Sequence, residues 1–329
     1  MIITVTLNAA IDKTLAVPNF RLGRRHRAIE QRALAGGKGV NVARALKALG
    51  QPVISTGFAG GSTGTRIIEQ LTDEAILNDF VRIHEESRTS TAVVDPASGE
   101  QTEINEYGPN VVEAELDLFR DKLLYLAKGA GLCVFSGSLP RGAPPSLYAD
   151  LVGELRKLGV TTVLDSEGEA LELATRAEPS VVTPNELEAE ELVGHEFADD
   201  EDRLGAPSEI VELGAREAVM TLETGCVALV EDRSGPGGPE SGRRLYRCTL
   251  EPVDTPVSRV GSGDAFLAGY VASRYRGSAP EEGLRFAVAC GAESTQHFGA
   301  GVLDTRAVER RAADVRVEAL PEPALEPRR

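Results

Sequence analysis

The sequence lacks the features that mark secreted, membrane-spanning and zinc-bearing proteins. No run of residues approaches the about 20 apolar positions that a membrane helix needs, and the N-terminus has neither the basic region nor the long apolar region of a signal peptide. Only four cysteines occur, and none has the C-x-x-C spacing of a zinc or redox site. We therefore expect a cytoplasmic protein whose cysteines are buried thiols; these are Cys133, Cys226, Cys248 and Cys290.

Positive charge is also scarce, because 35 lysines and arginines face 51 aspartates and glutamates, for a net charge of −16. Nucleic acids and anionic membranes bind positively charged surfaces, so we expect neither as a partner. A protein this acidic must concentrate its positive groups locally if it binds a small polyanion. Lys38, which lies in a Gly-rich segment, is a candidate for that role.

Short β-branched runs alternate with helical patterns along the 329 residues, of which 42% are hydrophobic. This alternation predicts an α/β fold with a mostly parallel central sheet and helices on both faces. The predicted strands are Ile2–Leu7, Val53–Gly57, Leu132–Ser136, Thr161–Asp165, Ser180–Thr183, Ala218–Leu222 and Val227–Glu231. The predicted helices include Gly39–Leu49, Pro144–Leu158 and Leu284–His297.

Two segments, residues 14–35 and 89–105, have strand-like stretches but no helix to cover them. They are either ordinary surface hairpins or the parts of a small separate sheet, which would act as a lid over a site or as a subunit interface. We predict one domain over residues 1–317, a flexible loop over Ser234–Gly242 and a flexible Pro-rich tail over residues 318–329.

The segment Gly261-Ser262-Gly263-Asp264 precedes a strongly apolar helical run. Its glycines are expected in the turn that opens a buried helix, where backbone N–H groups converge and stabilise the charge of a transferring phosphoryl group. Asp264, in the first turn, can accept the proton of an attacking hydroxyl. Taken alone, the pattern is weak, because an aspartate at a helix start is by default a cap.

A second Gly-rich segment, G-G-K-G-V-N at residues 36–41, opens the first long helix. It is not a Walker A loop, because Gly39 rather than Ser or Thr follows Lys38. Lys38 can hold a substrate phosphate, while Asn41 and Asp12 can bind sugar hydroxyls. The alternative is a helix N-terminus with an exposed lysine.

The segment Thr183-Pro-Asn-Glu-Leu-Glu188 follows a predicted strand. Asn185 and Glu188 would lie in the first turn of the next helix, where they can organise Mg²⁺ and its waters beside a triphosphate. The same spacing is that of a capping box, which is the alternative interpretation.

Five segments, in this order along the chain, resemble the ribokinase-like carbohydrate kinases of the PfkB family. They are residues 4–14, 36–44, 135–140, 183–188 and 260–266, and the resemblance covers roughly residues 2–304. The first two segments are most similar to the phosphosugar branch, the 1-phosphofructokinases and tagatose-6-phosphate kinases. The resemblance implies a ribokinase-like fold, Mg²⁺ and ATP as cofactors, a β lid made by the two uncovered segments, and a homodimer joined through that lid.

The resemblance also implies a role for each matching residue. Asp264 would be the catalytic base, and the anion hole would consist of Gly261, Ser262 and Gly263. The substrate would be held by Asp12, Gly37, Lys38, Asn41, Arg27, Arg88 and Ser138, with the lysine and the two arginines on its phosphate. ATP would contact Asn185, Thr221, Gly225 and Gly263, and Mg²⁺ would be held through water by Asn185 and Glu188.

Two positions and one short segment depart from the family pattern. Ala9 stands where proline is usual, and Glu167 replaces a small residue. The segment Thr221-Leu-Glu-Thr-Gly225 is shorter than the usual nucleotide loop S-L-G-x-x-G and lacks its first glycine. The last two changes add carboxylates on the expected nucleotide side, so they bear on nucleotide preference.

We therefore expect an ATP-dependent kinase that phosphorylates a ketohexose phosphate, with fructose 1-phosphate as the leading substrate and fructose 1,6-bisphosphate as its product. The nearest alternatives are kinases of the same fold that act on fructose 6-phosphate, tagatose 6-phosphate or an unphosphorylated sugar. A non-catalytic homologue that binds sugar or nucleotide is the alternative from a different class.

Overall fold

The computed structural model describes residues 1–232, 242–251 and 256–321. Within these residues the chain forms a large central sheet, a small separate sheet and ten helices. The helices are α1 Lys38–Ala48, α2 Gly61–Asp73, α3 Glu113–Ala127, α4 Leu147–Lys157, α5 Gly168–Thr175, α6 Glu186–Val193, α7 Asp200–Glu212, α8 Ser262–Arg276, α9 Pro280–Ser294 and α10 Thr305–Ala312. None of them is long and apolar enough to span a membrane. The predicted loop over Ser234–Gly242 lies outside the described residues, except for Gly242.

The strands divide between the two sheets. They are β1 Ile2–Thr6, β2 Ala10–Ala16, β3 Glu30–Gly36, β4 Val53–Gly60, β5 Leu77–Asn78, β6 Val81–Ile83, β7 Arg88–Val94, β8 Gln101–Asn105, β9 Leu132–Ser136, β10 Thr161–Asp165, β11 Val181–Val182, β12 Ala218–Leu222, β13 Gly225–Asp232, β14 Gly242–Thr249 and β15 Arg316–Leu320. The central sheet has the order β15-β14-β13-β12-β11-β10-β9-β1-β4-β5, and β6 also pairs with β4. Strands β13 to β15 are antiparallel, and the others are parallel.

Helices cover both faces of the central sheet, each over its own apolar core. On one face α1, α2 and α8 to α10 contribute buried residues such as Leu46, Leu267 and Leu284. On the other face α3 to α7 contribute residues such as Phe119 and Leu151. The predicted fold class is thereby confirmed, and the four cysteines are buried and free, as expected.

All seven predicted strands are present, and the bounds of β9, β10 and β12 are as predicted. The prediction that a flexible tail starts at residue 318 was wrong, because residues 316–320 form β15 and pair with β14. Polar residues alternate there with apolar ones, and Val317 and Leu320 pack against the two cores. Alternating polar and apolar residues are typical of an antiparallel strand with one exposed face, and charged residues are common on a strand at the edge of a sheet. The charged residues made this segment look like part of a polar tail. Residues 322–329 lie outside the described part of the chain.

The two segments without covering helices form the small sheet, in the order β3-β2-β7-β8. Strands β2 and β7 are parallel, and the outer pairs are antiparallel. The prediction of a separate sheet is therefore confirmed over the alternative of ordinary hairpins.

An ion pair at the C-terminal end of α8 anchors this helix to the central sheet. Glu217, just before β12, is buried, and its carboxylate accepts hydrogen bonds from Arg274 at 2.5 and 2.9 Å and from the Tyr270 hydroxyl at 3.2 Å. Asp264 lies near the other end of the same helix.

Replacing Arg274 by Met should lower the free energy of unfolding by about 3 kcal/mol, because the buried Glu217 carboxylate would lose its charged partner. Urea denaturation followed by circular dichroism measures the change. Arg176→Met is the matched control, since it breaks an exposed pair with Glu172 and should cost less than about 1 kcal/mol. Equal losses in the two variants would contradict the anchoring role.

Candidate active site

Two adjoining clefts lie at the carboxyl ends of the parallel strands, where α/β proteins usually bind ligands. The larger, here called the main cleft, has a volume of about 850 Å³ and lies between these strand ends and β2, β7 and β8 of the small sheet. The smaller, here called the side cleft, has a volume of about 290 Å³. Its walls are the turn between β12 and β13, residues 221–225, and parts of α8 and α9.

Asp264 lies in the first turn of α8, where its side chain is buried and lines the main cleft. Burial, with the negative charge of Asp165 nearby, raises the pKa of Asp264 to about 7. Lys38 and the amide of Asn41 oppose this rise. A carboxylate with a pKa near 7 is suited to accept a proton at neutral pH.

The backbone before Asp264 adopts the turn that the glycines predicted. Gly261 is the N-cap of α8 and has φ 77°, a left-handed conformation that favours glycine. A Cβ at this position would lie 2.6 Å from the Cβ of Ala300, so there is no space for a side chain. Gly261, Ser262 and Gly263 all line the main cleft at a helix N-terminus, whose first N–H groups lack helical acceptors. Their use as an anion hole stays a prediction.

Asn41 connects two carboxylates of the main cleft. Its Nδ2 donates to Asp264 Oδ2 at 2.9 Å and to Asp12 Oδ2 at 3.4 Å. Arg44, one turn later on α1, donates to the Asn41 Oδ1 at 3.2 Å. Arg44 therefore orients the amide so that its NH₂ group faces the carboxylates. Arg44 was not predicted as a site residue from the sequence. Its position three residues after Asn41, which places both on one face of the helix, was the signal that could have identified it.

Lys38 is half-buried and paired with two carboxylates, so it is not the exposed lysine of the alternative interpretation. Its Nζ lies 3.0 Å from Asp165 Oδ1 and 3.6 Å from Glu188 Oε1. Burial alone would lower the pKa of Lys38, but the carboxylates outweigh burial and raise it. Asp165, at the end of β10, also accepts a hydrogen bond from Ser136 Oγ at 2.6 Å. The sequence did not identify Asp165 as a site residue.

Asn185 and Glu188 form the capping box of α6 and also line the main cleft. Each side chain accepts a backbone hydrogen bond from the other residue at 2.9 Å, which leaves Glu188 Oε1 directed towards Lys38. In the described part of the chain no group of three or more acidic, histidine or cysteine residues can hold a metal. Carboxylate and amide oxygens are donors that can contact Mg²⁺ through its water shell, and this use of Asn185 and Glu188 stays a prediction.

Arg88 and Ser138 line the main cleft on the side of the small sheet. Arg88 Nε donates to the carbonyl of Asn8 at 3.3 Å, and Asn8 Nδ2 donates to Ser138 Oγ at 3.2 Å. Gly37, also in the main cleft, donates its N–H to Asp12 at 3.3 Å.

The remaining predicted residues divide between the side cleft and the surface. Thr221 lines both clefts, and Gly225 lines the side cleft. Arg27 is exposed in the connection between β2 and β3 and does not line the main cleft. The structure also adds Arg259, which lines both clefts two residues before Gly261. Although it lies only two residues before the glycine motif, it was not predicted as a site residue from the sequence.

A buried carboxylate beside a Gly-rich helix N-terminus, at the edge of a parallel sheet, is an arrangement suited to phosphoryl transfer. The chain belongs to the pfkB family of carbohydrate kinases, whose model matches residues 5–306. The resemblance drawn from the five segments and the ribokinase-like fold that it implied are thereby confirmed.

The similarity to known relatives extends over nearly the whole chain. A tagatose-6-phosphate kinase from Staphylococcus epidermidis is 33% identical over 307 residues, which are 93% of this chain and 95% of the relative. A 1-phosphofructokinase from Borreliella burgdorferi is 30% identical over 318 residues, 97% of this chain and 98% of the relative. Among solved structures, phosphofructokinase-2 from Escherichia coli in complex with substrates and products is similar, with a TM-score of 0.86 and 28% identity over 95% of this chain and 98% of that one.

Proposed function

We propose that this carbohydrate kinase transfers the γ-phosphate of ATP to a hydroxyl of a ketohexose phosphate, with fructose 1-phosphate as the leading substrate. The observation that carries the proposal is the buried Asp264 carboxylate, with its pKa raised to about 7, beside the Gly-rich N-terminus of α8. Asp264 accepts the hydroxyl proton as the oxygen attacks phosphorus. Gly261, Ser262 and Gly263 stabilise the charge on the transferring group.

A phosphorylated substrate is favoured by the positive groups of a cleft that is otherwise rich in carboxylates. Lys38 and Arg88 are placed to attract its phosphate, while Asp12, Asn41 and Ser138 offer partners for its hydroxyls. The similarity to a tagatose-6-phosphate kinase and to a 1-phosphofructokinase supports this substrate class. Since those sugars differ in stereochemistry or phosphate position, fructose 6-phosphate and tagatose 6-phosphate stay as alternatives.

ATP would lie across the two clefts, with its base in the side cleft beside Thr221 and Gly225 and its phosphates directed towards Asp264. Mg²⁺ would be bound by these phosphates, and Asn185 and Glu188 would contact its water shell. The ion would offset negative charge on the transferring group.

Replacing Asp264 by Asn should lower kcat by at least about 100-fold, because the isosteric amide cannot accept the proton. The Kd of the sugar phosphate, measured by calorimetry, should change little. Asn41 would keep a hydrogen-bond acceptor at that position, so the fold should persist. Near-normal turnover of this variant would contradict the assignment of the base.

Replacing Lys38 by Ala should raise KM about tenfold or more for the preferred phosphosugar, because a charge-assisted contact to the phosphate is lost. KM for any neutral sugar that is accepted should change little.

ADP release should first be measured on the unmodified protein with fructose 1-phosphate, fructose 6-phosphate, tagatose 6-phosphate, fructose and ribose. No ADP release with any of them would favour the non-catalytic homologue, and a preference for fructose or ribose would contradict the phosphosugar class.

We further propose a homodimer joined through the small sheet. Large apolar side chains are exposed on this sheet and its connections, namely Leu22, Ile29, Ile104 and Tyr107. Such exposure is typical of an interface. Arg27 lies on the same connection as Leu22 and Ile29, so its proposed contact with the substrate phosphate would depend on this assembly.

Sedimentation velocity should therefore show a dimer of about 70 kDa, twice the chain mass of 34.9 kDa. Ile104→Asp should shift the population towards monomer, because it places a charge in the interface. Leu118→Asp, at a similarly exposed position on α3, is the control and should leave the dimer intact. A monomer at micromolar concentration, or equal effects of both changes, would contradict the interface.

A further inference from the structure

Five described residues line both clefts, namely Thr221, Arg259, Ser262, Gly263 and Phe266. They therefore mark the passage between the clefts. Arg259 is the one charged side chain among them, and it lies two residues before Gly261, the N-cap of α8. A ligand that occupied both clefts would therefore lie beside this guanidinium.

Arg259 is paired with a carboxylate across the side cleft. Its Nη1 lies 3.0 Å from Oε1 of Glu223, in the two-residue turn between β12 and β13. Both side chains are largely exposed, at 65% for Arg259 and 77% for Glu223. A pair this exposed is weak, so a stronger anion can replace the carboxylate at low energetic cost.

The polyphosphate of a nucleotide is such an anion, and the proposed function places it in this passage. Its oxygens match the planar fork of a guanidinium and can accept two N–H bonds at once. Lys38, in the main cleft, is already paired with Asp165 and Glu188. Of the two described arginines that line the side cleft, Arg259 and Arg311, Arg259 also lines the main cleft.

We propose that Arg259 binds the β- and γ-phosphates of the nucleotide, and that Glu223 holds Arg259 when the site is empty and is displaced when the nucleotide binds. This inference rests on the proposed function, because it takes the ligand of both clefts to be ATP. Glu223 is then a competitor of the phosphates, and its negative charge sets nucleotide affinity below what Arg259 alone would give.

The test is calorimetric titration of the full chain with Mg-ATP, Mg-ADP and AMP. Arg259→Ala should weaken the Kd for ATP and ADP about tenfold and that for AMP less than about threefold, because AMP lacks the phosphates that Arg259 contacts. Arg259→Lys should lie between Arg259→Ala and the unmodified protein, since it keeps the charge but not the fork. Glu223→Gln should tighten ATP binding about threefold, because the competing charge is removed.

The control pair is Arg176 and Glu172, which form a similarly exposed ion pair at the end of α5. Arg176→Ala and Glu172→Gln should leave all three affinities unchanged. Unchanged ATP affinity in Arg259→Ala, or an equal loss for AMP, would overturn the role of Arg259. Unchanged or weaker ATP binding in Glu223→Gln would overturn the displacement.

The inference and the proposed function can fail separately. If the unmodified protein binds and consumes ATP while Arg259→Ala matches it, the inference is wrong and the kinase assignment stands. If the unmodified protein binds no nucleotide, both are overturned.

Discussion

The hydrogen bond between Asn41 and Asp264 holds together the parts of the site. It joins α1 to α8 across one face of the central sheet, and it gives the buried carboxylate a neutral partner. Arg44 orients that amide and also donates to the carbonyls of Ala35 and Ala300. Ala35 lies in β3 of the small sheet, and Ala300 packs against Gly261. One buried arginine thus links the base, the Gly-rich turn and the small sheet, and a shift in any of them would affect the others.

The site contains several carboxylates, and nearby positive groups neutralise only part of their negative charge. Burial raises the pKa of Asp12, Glu188 and Asp264, so their ionised forms are destabilised in the protein. Lys38 offsets part of this charge. A polyanionic nucleotide adds more negative charge, which makes accompanying cations necessary. The proposed roles of Mg²⁺ and Arg259 both meet this requirement.

Much of the fold could be predicted because the parallel strands are short, apolar and bounded by turns. β9 and β10 illustrate this, since every residue of β9 and four of the five in β10 are buried. β15 was missed because its core contacts depend on pairing with β14, which no local pattern shows. The site shows the same limit: Asp264 and Lys38 lie in Gly-rich segments, whereas Asp165 comes close to Lys38 only after the strands have paired.

The account depends most directly on the ionisation of Asp264. Carbon-13 NMR of protein labelled at the aspartate carboxyl groups can follow its titration, with Asp264→Asn identifying the signal. We expect a pKa of about 7, and a lower value in Asp165→Asn because a neighbouring negative charge is removed. A pKa near the ordinary aspartate value of about 3.9 that does not change in Asp165→Asn would contradict the claim that burial and Asp165 raise the pKa of Asp264.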